Sequence, residues 1–414
     1  MNKKILVLGL GQNNFLSFLY SSLKKFDATF CITAPFYVQI NKDSNNDTWM
    51  YENKNIIKKK SILIILRAFL SSLFSRHFHA TFFFILFVEG KIPKAFHFVA
   101  KQIEAKAFFI QNKNFNEFDT FHFHFMQYSY LRELFLVPKN KKIVCSFWGS
   151  DLLRTNDLLN FYFVKKALYQ STVITCQSME LREIILSKFG RDLYDKIQVS
   201  MFPIEEKIYS LMDINYERIE KISDFKKKFD YATDKLNILI GHSGSPFNNH
   251  IKIISALKNC RYKDKLHLII NLNYAISENK KKKYKKELYE VLQPIGSSYV
   301  ILEKFFIEDE LAVSRLASDI FIHTPVSDAL SSTMLELLYA SNIVITGSWL
   351  PYKTFKKAKL TYYEIDTFSE LSLKLDLLIE NFNSEKELAK NNKLAVKEHF
   401  FNNDIVTKWS QILS

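Results

Sequence analysis

Short apolar runs alternate with amphipathic stretches along most of this chain, and the alternation falls into two blocks. The first block opens with KILVLGL, FLSFLYSSLKKF and ATFCITA, which have the patterns of a strand, a helix and a second strand. That order is typical of a parallel sheet whose connecting helices cover its faces. Roughly six such strands are predicted before Pro203. The chain is therefore expected to be an α/β protein.

A second block of alternating strands and helices follows a charged, helix-like segment at residues 204–235, which we predict to be a linker. The strands predicted for the second block are LNILIGH, LHLIINLNY, SSYVILEKF, DIFIHTP, NIVITGS and LTYYEID. We predict two Rossmann-like, doubly wound domains, at residues 1–203 and 236–390, that face a cleft. A helical tail at 391–414 is expected to pack back on the first domain. Ligands of such sheets bind beyond the carboxyl ends of the strands, so the cleft is the expected site.

Positive charge limits the choice of partners. The net charge is +14, which suits nucleic acid, an anionic membrane or a phosphorylated small molecule. A solvated coat of lysines explains the same charge, and no recognised nucleic-acid-binding module is present, so we expect no nucleic acid partner. None of the four cysteines has CxxC spacing. We therefore expect neither zinc nor a disulfide framework, and we expect a cytoplasmic protein.

Residues 55–89 combine basic side chains with strongly apolar helical faces. The favoured interpretation is a pair of core helices on the sheet. The alternative is a basic amphipathic surface that rests on an anionic bilayer, at the inner face of the plasma membrane. The N-terminal apolar run is short, contains glycines and has no A-x-A site, so it is expected to be a strand rather than a signal peptide.

The stretch IGHSGSPFNNHI lies between a predicted strand and a predicted helix. Gly241, Ser243, Gly244 and Ser245 follow the end of the strand, where free N–H groups and a helix dipole favour phosphate. The alternative is a plain turn in which one of the two asparagines caps the helix.

A second candidate is HTPVSDALSSTMLELLYAS, in which a loop leads into a helix. Hydroxyl groups and N–H groups at the helix start are suited to gripping a diphosphate. The residues concerned are Ser331, Ser332 and Thr333. Asp328 precedes them, and Glu336 lies about one turn into the helix, where an acid can accept hydrogen bonds from ribose. The alternative makes a serine the N-cap and Glu336 a favourable first-turn acid.

Asp328 and Glu336 have seven residues between them, and this spacing resembles the E-x7-E motif of nucleotide-sugar glycosyltransferases with the GT-B fold. The first acid is Asp in this chain, which departs from the motif. The resemblance implies that Asp328 faces the donor sugar at the reacting centre and that Glu336 binds the ribose.

The segment GHSGSPFNNHI resembles the corresponding segment of bacterial transferases that move 4-acetamido-4,6-dideoxygalactose onto a lipid carrier. It occupies the place where other GT-B enzymes carry an Arg and a Lys that hold the diphosphate. Neither cation occurs between Gly241 and His250. The resemblance therefore implies that His250, backbone N–H groups and the helix start at Ser331–Thr333 replace them, and Asn249 is assigned to the same donor site.

The first domain offers candidates for the acceptor side. Gly9 and Gly11 follow the first strand, but Asn14 stands where a third dinucleotide-binding glycine would be. A glycine-rich turn at the cleft is the better interpretation, and Asn13 belongs to it.

Two residues near strand ends are candidate bases for the acceptor hydroxyl. Asp151, in SFWGSD, is the first candidate, and Trp148 beside it is assigned to the acceptor side. His124, in FHFHF, is the second candidate. The alternatives are a helix N-cap for Asp151 and a core position for His124.

These features predict transfer of a sugar from a nucleoside diphosphate sugar to a hydroxyl group. The acceptor would be lipid-linked or a surface glycan, as in polysaccharide, lipopolysaccharide or capsule biosynthesis of a bacterial cell envelope. No D-x-D motif is evident, so neither a metal nor a cofactor is expected. Inversion and retention both remain open, because the two resemblances favour different outcomes. The alternatives are a sugar-nucleotide epimerase of the same fold and a basic nucleic-acid-binding protein.

Overall fold

The computed structural model describes residues 2–9, 14–34, 61–111, 113–401 and 404–414. The chain divides into two compact units. The first unit comprises Met1–Pro203 with Asn403–Ser414, and the second comprises Ile204–Asn402. No helix among the described residues is long and apolar enough to cross a membrane.

The first unit contains a six-stranded sheet with the order β2-β1-β3-β4-β5-β6, and all neighbouring strands are parallel. Its strands are β1 (Lys3–Gly9), β2 (Phe30–Thr33), β3 (Thr120–His124), β4 (Lys142–Ser146), β5 (Val173–Cys176) and β6 (Ile197–Val199). Its helices before Pro203 are α1 (Asn14–Phe26), α2 (Ile62–Ser72), α3 (Arg76–Phe83), α4 (Ile92–Gln111), α5 (Ser150–Leu153), α6 (Leu158–Gln170) and α7 (Met179–Phe189).

The second unit contains another six-stranded parallel sheet, with the order β12-β11-β10-β7-β8-β9. Its strands are β7 (Leu236–Ile240), β8 (Leu266–Asn271), β9 (Ser298–Leu302), β10 (Ile320–His323), β11 (Ile343–Gly347) and β12 (Tyr363–Ile365). Its helices are α8 (Glu206–Asn215), α9 (Ile219–Lys228), α10 (His250–Leu257), α11 (Glu278–Leu292), α12 (Glu308–Leu316), α13 (Ser332–Tyr339), α14 (Lys353–Lys357), α15 (Leu371–Glu380) and α16 (Phe382–Phe400). Helix α17 (Asp404–Leu413) ends the chain.

Each sheet contains strands that bury both of their faces. Residues Ile5 to Leu8 of β1 are all buried, as are all six residues of β8. Continuous apolar runs of this kind suit parallel strands that are covered by helices on both sides. On α1, Leu16, Leu19 and Leu23 are buried at helical spacing and pack against the first sheet. The predicted α/β architecture with two doubly wound sheets is confirmed.

The predicted linker is not a separate segment in the structure. Residues 204–235 include α8 and α9, which lie within the second unit. Tyr209 and Met212 of α8 and Phe225 of α9 are buried. Charged residues surround these apolar side chains in the sequence, and the segment therefore had the pattern of an exposed connector.

The helical tail is shorter than the predicted 391–414. Helix α16 belongs to the second unit and buries Ala389, Val396 and Phe400. Helix α17 belongs to the first unit, where Trp409 joins the core around α1 and donates from Nε1 to the carbonyl of Met201 at 2.7 Å. The division therefore falls between these two helices.

Candidate functional site

The candidate donor residues lie at one edge of the second sheet. Strands β7, β8, β10 and β11 run parallel, so their carboxyl ends lie at the same edge. The loops that follow β7 and β10 carry the two predicted motifs. Ligands of open parallel sheets bind at this edge.

Gly241 is the first residue after β7 and adopts a left-handed φ of +63°. Its N–H donates to the carbonyl of Ile322 at 3.1 Å, which ties the loop to β10. A Cβ atom at this position would lie 2.6 Å from Nε2 of His250. The loop therefore requires glycine here for its conformation and for space.

The predicted N–H cradle is only partly available to a ligand. The N–H groups of Gly241 and Gly244 are occupied, since that of Gly244 donates to the carbonyl of Tyr274 at 2.8 Å. The backbone N–H groups of Ser243 and Ser245 form no hydrogen bond within the described part of the chain. These two N–H groups, rather than those of the glycines, are therefore left to donate hydrogen bonds to an anion.

Two asparagines hold the loop in shape. Nδ2 of Asn248 donates to the carbonyl and the hydroxyl oxygen of Ser243 at 3.0 and 2.9 Å. Asn249 has a φ of +60°, and its Nδ2 donates to the carbonyl of Thr324 at 2.8 Å. Asn249 precedes α10, but its side chain makes no capping bond and instead links the two loops. Such cross-links keep the loop rigid.

The sequence predicts that His250 replaces the missing cations, but the buried position of His250 shows that this prediction is wrong. The side chain is fully buried, and its Nδ1 faces the hydroxyl of Tyr284 at 3.2 Å. Burial, together with the charge of His242, lowers the pKa of His250 to about 3. The imidazole is therefore neutral near pH 7 and packs beneath Gly241 instead of facing a ligand.

His242, which follows Gly241 in the same motif, is a candidate cation that the sequence pattern did not indicate. It is only partly buried. The centroid of its ring lies 5.4 Å from that of His323, at the end of β10. Its charge also helps to lower the pKa of Asp328.

Asp328 belongs to a compact polar cluster. Its Oδ2 lies 3.1 Å from Nε2 of His323 and accepts a hydrogen bond from the hydroxyl of Tyr352 at 2.9 Å. The Tyr352 hydroxyl is also 2.9 Å from His323 Nε2. Burial acts to raise the pKa of Asp328, but the hydrogen bond and charge of His323 outweigh it and hold the pKa well below its usual range. Asp328 is therefore ionised and fixed in position.

The start of the helix that follows matches the alternative interpretation, in which a serine is the N-cap. Ser331 is the N-cap of α13, and its Oγ accepts a hydrogen bond from the N–H of Met334 at 3.1 Å. Its hydroxyl oxygen is therefore engaged in the cap. Ser332 is exposed and Thr333 is partly exposed in the first turn, so their hydroxyl groups remain accessible. The positive end of the helix dipole lies at the same place.

Glu336 forms an ion pair that sequence reasoning missed. Its Oε2 accepts a hydrogen bond from Nε of Arg315 at 2.9 Å and lies 2.8 Å from Nη2 of the same guanidinium group. Arg315 lies on α12, 21 residues earlier, and both side chains are largely buried. Within the described part of the chain, Oε1 of Glu336 forms no hydrogen bond. One carboxylate oxygen is thus anchored, and the other is left for a ligand.

In the first unit, Asp151 occupies a structural position. Its Oδ1 accepts hydrogen bonds from the N–H groups of Trp148 and Gly149, and its Oδ2 accepts one from that of Met126. The residue is only 2% exposed. Burial raises its pKa to about 6, against the opposing effect of these backbone hydrogen bonds. The geometry gives Asp151 a structural role in holding the turn after β4, but not as the predicted N-cap, because Asp151 lies in the first turn of α5 and Gly149 is the N-cap.

His124 lies in a buried chain of hydrogen bonds. The indole of Trp148 can only donate, so Nδ1 of His124, 3.2 Å away, accepts. Nε2 of His124 therefore carries the proton and faces the hydroxyl of Tyr20 at 2.6 Å. The Tyr20 hydroxyl lies 2.9 Å from Nδ1 of His122, whose Nε2 is 2.6 Å from Oγ of Ser146. Burial, and then the charge of His122, lowers the pKa of His124 well below its usual value. His124 thus lies in the core, as the alternative interpretation predicts.

Only one of the three predicted turn residues near β1 can be placed. Gly9 has a φ of +94°, and a Cβ atom there would lie 2.2 Å from the carbonyl oxygen of His124. The close approach of β1 and β3 requires glycine at this position. Gly11 and Asn13 lie outside the described residues.

No family model matches the chain, and no curated protein matches its sequence. Solved structures are nevertheless similar over the whole chain. A glycosyltransferase from Rickettsia africae is 14% identical, with coverage of 100% of this chain and 98% of that one, at a TM-score of 0.66. HepE of Anabaena, solved with UDP-glucose, is 12% identical, with coverage of 99% and 100% and a TM-score of 0.64. Sucrose-phosphate synthase of Thermosynechococcus elongatus is 10% identical, with coverage of 100% and 98% and a TM-score of 0.65. The chain has the GT-B fold of these glycosyltransferases.

Proposed function

We propose that this protein transfers a sugar from a nucleoside diphosphate sugar to a hydroxyl group. The proposal rests on two carboxylates that are held in fixed orientations, one just before the start of α13 and one within it. Asp328 is held by His323 and Tyr352, and Glu336 is held by Arg315. Rigid polar groups at the carboxyl edge of a parallel sheet are what a sugar nucleotide needs for orientation. The likeness to HepE solved with UDP-glucose supports a nucleotide-sugar donor.

In this proposal, Glu336 binds the ribose and Asp328 faces the donor sugar. Oε1 of Glu336 accepts hydrogen bonds from the ribose hydroxyls, while Arg315 keeps the carboxylate oriented through Oε2. Asp328 is ionised and can stabilise positive charge that develops on the sugar as its bond to the diphosphate breaks.

The leaving diphosphate is stabilised by groups that carry little formal charge. The start of α13 contributes a helix dipole and the hydroxyl groups of Ser332 and Thr333. The backbone N–H groups of Ser243 and Ser245 contribute from the loop after β7. We assign the cationic role to His242 because it is partly exposed and borders this edge, whereas His250 is buried.

The acceptor in this proposal is a hydroxyl group of a lipid-linked or surface glycan. Asp151 and His124 are not part of the catalytic set, because both are buried and engaged in hydrogen bonds. The donor specificity for 4-acetamido-4,6-dideoxygalactose rests on the resemblance of GHSGSPFNNHI alone.

Thermal unfolding in the presence of a panel of nucleotides and nucleotide sugars tests this function. A true donor raises the melting temperature, and the increase grows with the logarithm of ligand concentration, because the donor binds the folded state. A matched pair of variants, Glu336→Ala and Glu387→Ala, separates the donor site from general effects, since Glu387 is an exposed acid on α16. The function is contradicted if no nucleoside diphosphate or sugar conjugate shifts the wild-type transition. Turnover of the donor sugar without any acceptor would instead indicate an epimerase.

A further inference from the structure

Helix α2 presents its large apolar side chains to solvent and its small ones to the protein. The buried residues of α2 are Ala68 and Ser72. Ile62 is 84% exposed and Leu63 is 77% exposed, and Leu66 and Leu70 are also exposed. A helix on a soluble surface normally has the opposite arrangement. The prediction that this segment forms core helices therefore does not hold for the outward face of α2.

The exposed apolar surface extends beyond α2. Phe74, directly after the helix, is 91% exposed. Further exposed apolar residues follow on α3, on the π-helical turn Phe84–Val88 and at the start of α4, and these are Phe83, Phe87, Val88, Ile92 and Phe96. The rings of Phe83 and Phe87 stack at 5.7 Å. The helices α2, α3 and α4 and the π-helical turn pack on one another, and exposed apolar side chains grouped in this way mark an interaction site. We call it the α2–α4 surface.

The charges that border this surface are positive. Arg67, Arg76 and Lys91 are exposed. Between residues 61 and 100, the only acidic residue is Glu89. Its side chain is 8% exposed and is paired with Lys94 at 2.7 Å. The surface thus presents apolar side chains and unneutralised cations together.

A groove of about 640 Å³ adjoins the same surface. Phe84 and Val88 belong to its wall, and Lys165 and Lys166 of α6 contribute two further cations. The ring of Phe84 stacks on that of Tyr162 at 4.1 Å. An apolar groove flanked by lysines suits an acyl chain beneath an anionic headgroup.

We propose that the α2–α4 surface docks on an anionic lipid bilayer. Charge complementarity selects this occupant, because apolar side chains enter the boundary of the acyl chains while the arginines and lysines meet lipid phosphates. A second copy of the chain would bring these like charges together, which disfavours self-association. This inference rests on the proposed function in one respect, which is that the glycan acceptor lies at a membrane. Bilayer binding itself can be measured without any sugar donor.

Flotation with vesicles tests the proposal. The wild-type chain should float with vesicles of phosphatidylcholine and phosphatidylglycerol at low salt and should remain behind with phosphatidylcholine alone. Leu66→Glu with Leu70→Glu should lower the bound fraction about tenfold, since charged side chains oppose insertion. Leu373→Glu and Leu394→Glu replace exposed leucines of the second unit and should not change it.

Two controls make the outcome decisive. Donor binding, measured as a thermal shift, should be the same in all these variants, so loss of flotation with intact donor binding supports the bilayer surface. Arg67→Glu with Lys91→Glu should weaken flotation in the same direction. Absence of wild-type flotation at low salt would overturn the proposal. Equal flotation of the Leu66–Leu70 variant would overturn it too, as would a wild-type dimer that this variant disrupts.

Discussion

Glu336 and Arg315 form an ion pair in which a single carboxylate oxygen, Oε2, accepts a hydrogen bond from Nε at 2.9 Å and lies 2.8 Å from Nη2. This arrangement leaves the second oxygen available while fixing the orientation of the carboxylate. A residue that binds a ligand and is held by a buried partner in this way has both a structural and a functional role. Variants can separate the two roles.

Arg315→Ala should destabilise the second unit by about 3 kcal/mol, because it leaves a largely buried carboxylate without its partner. Chemical denaturation measures this loss. The double variant Arg315→Met with Glu336→Leu should regain most of the stability, since no charge remains buried, but it should still fail to bind a nucleotide sugar. Recovery of binding in the double variant would contradict the role of Glu336.

His242→Ala should weaken binding of a nucleoside diphosphate about tenfold, since one hydrogen bond to a charged group is lost. Binding of the corresponding nucleoside, which has no phosphate, should not change. Calorimetric titration with both ligands provides the ratio of the two effects. Equal losses for the nucleoside and the diphosphate would show that His242 does not contact phosphate.

Gly241→Ala should cost about 1–3 kcal/mol of stability, because the new Cβ meets the His250 ring and the φ of Gly241 is left-handed. Gly296→Ala is a matched control in the same unit. Gly296 has a φ of +78°, but no atom lies within 4 Å of an added Cβ. The difference between the two melting temperatures reports the crowding of the added Cβ against His250 and, to a lesser extent, against Asn248. The packing of His250 under the loop is contradicted if the two substitutions cost the same.

Stability should fall on acidification below about pH 6.5, because buried neutral histidines must take up protons on unfolding. Burial lowers the pKa of His122 and that of His250 to about 3, so the folded state binds fewer protons than the unfolded state between pH 6.5 and pH 3. Each such group contributes about 1.4 kcal/mol per pH unit in this range. Denaturation at pH 7 and pH 5 should show a smaller loss for His250→Gln than for the wild type. Substitution of exposed His399 by Gln provides the control.

The strands were predictable because buried parallel strands are continuous apolar runs. LHLIIN, for example, is both a pattern in the sequence and strand β8. The partners of the site residues were not predictable. Arg315 and Glu336 are 21 residues apart, and His323 and Tyr352 are 29 apart, so only the packing of the elements brings them together.

The direction in which a side chain points was equally unpredictable from the sequence. His250 lies in the same motif as His242, but it follows the left-handed Asn249 at the start of α10 and is fully buried, whereas His242 is partly exposed. In α2, apolar periodicity predicts a helix with one apolar face but does not say whether that face meets the protein. The small residues Ala68 and Ser72 take the inward positions.

The most direct test of the proposed function is calorimetric titration of the nucleotide sugar that stabilises the wild-type protein most. Binding should be saturable for the wild type and for Glu387→Ala, and at least about tenfold weaker for Glu336→Ala, since the ribose contact is lost. Equal affinity for Glu336→Ala and the wild type, with both proteins folded, would contradict the role of Glu336 in a donor site.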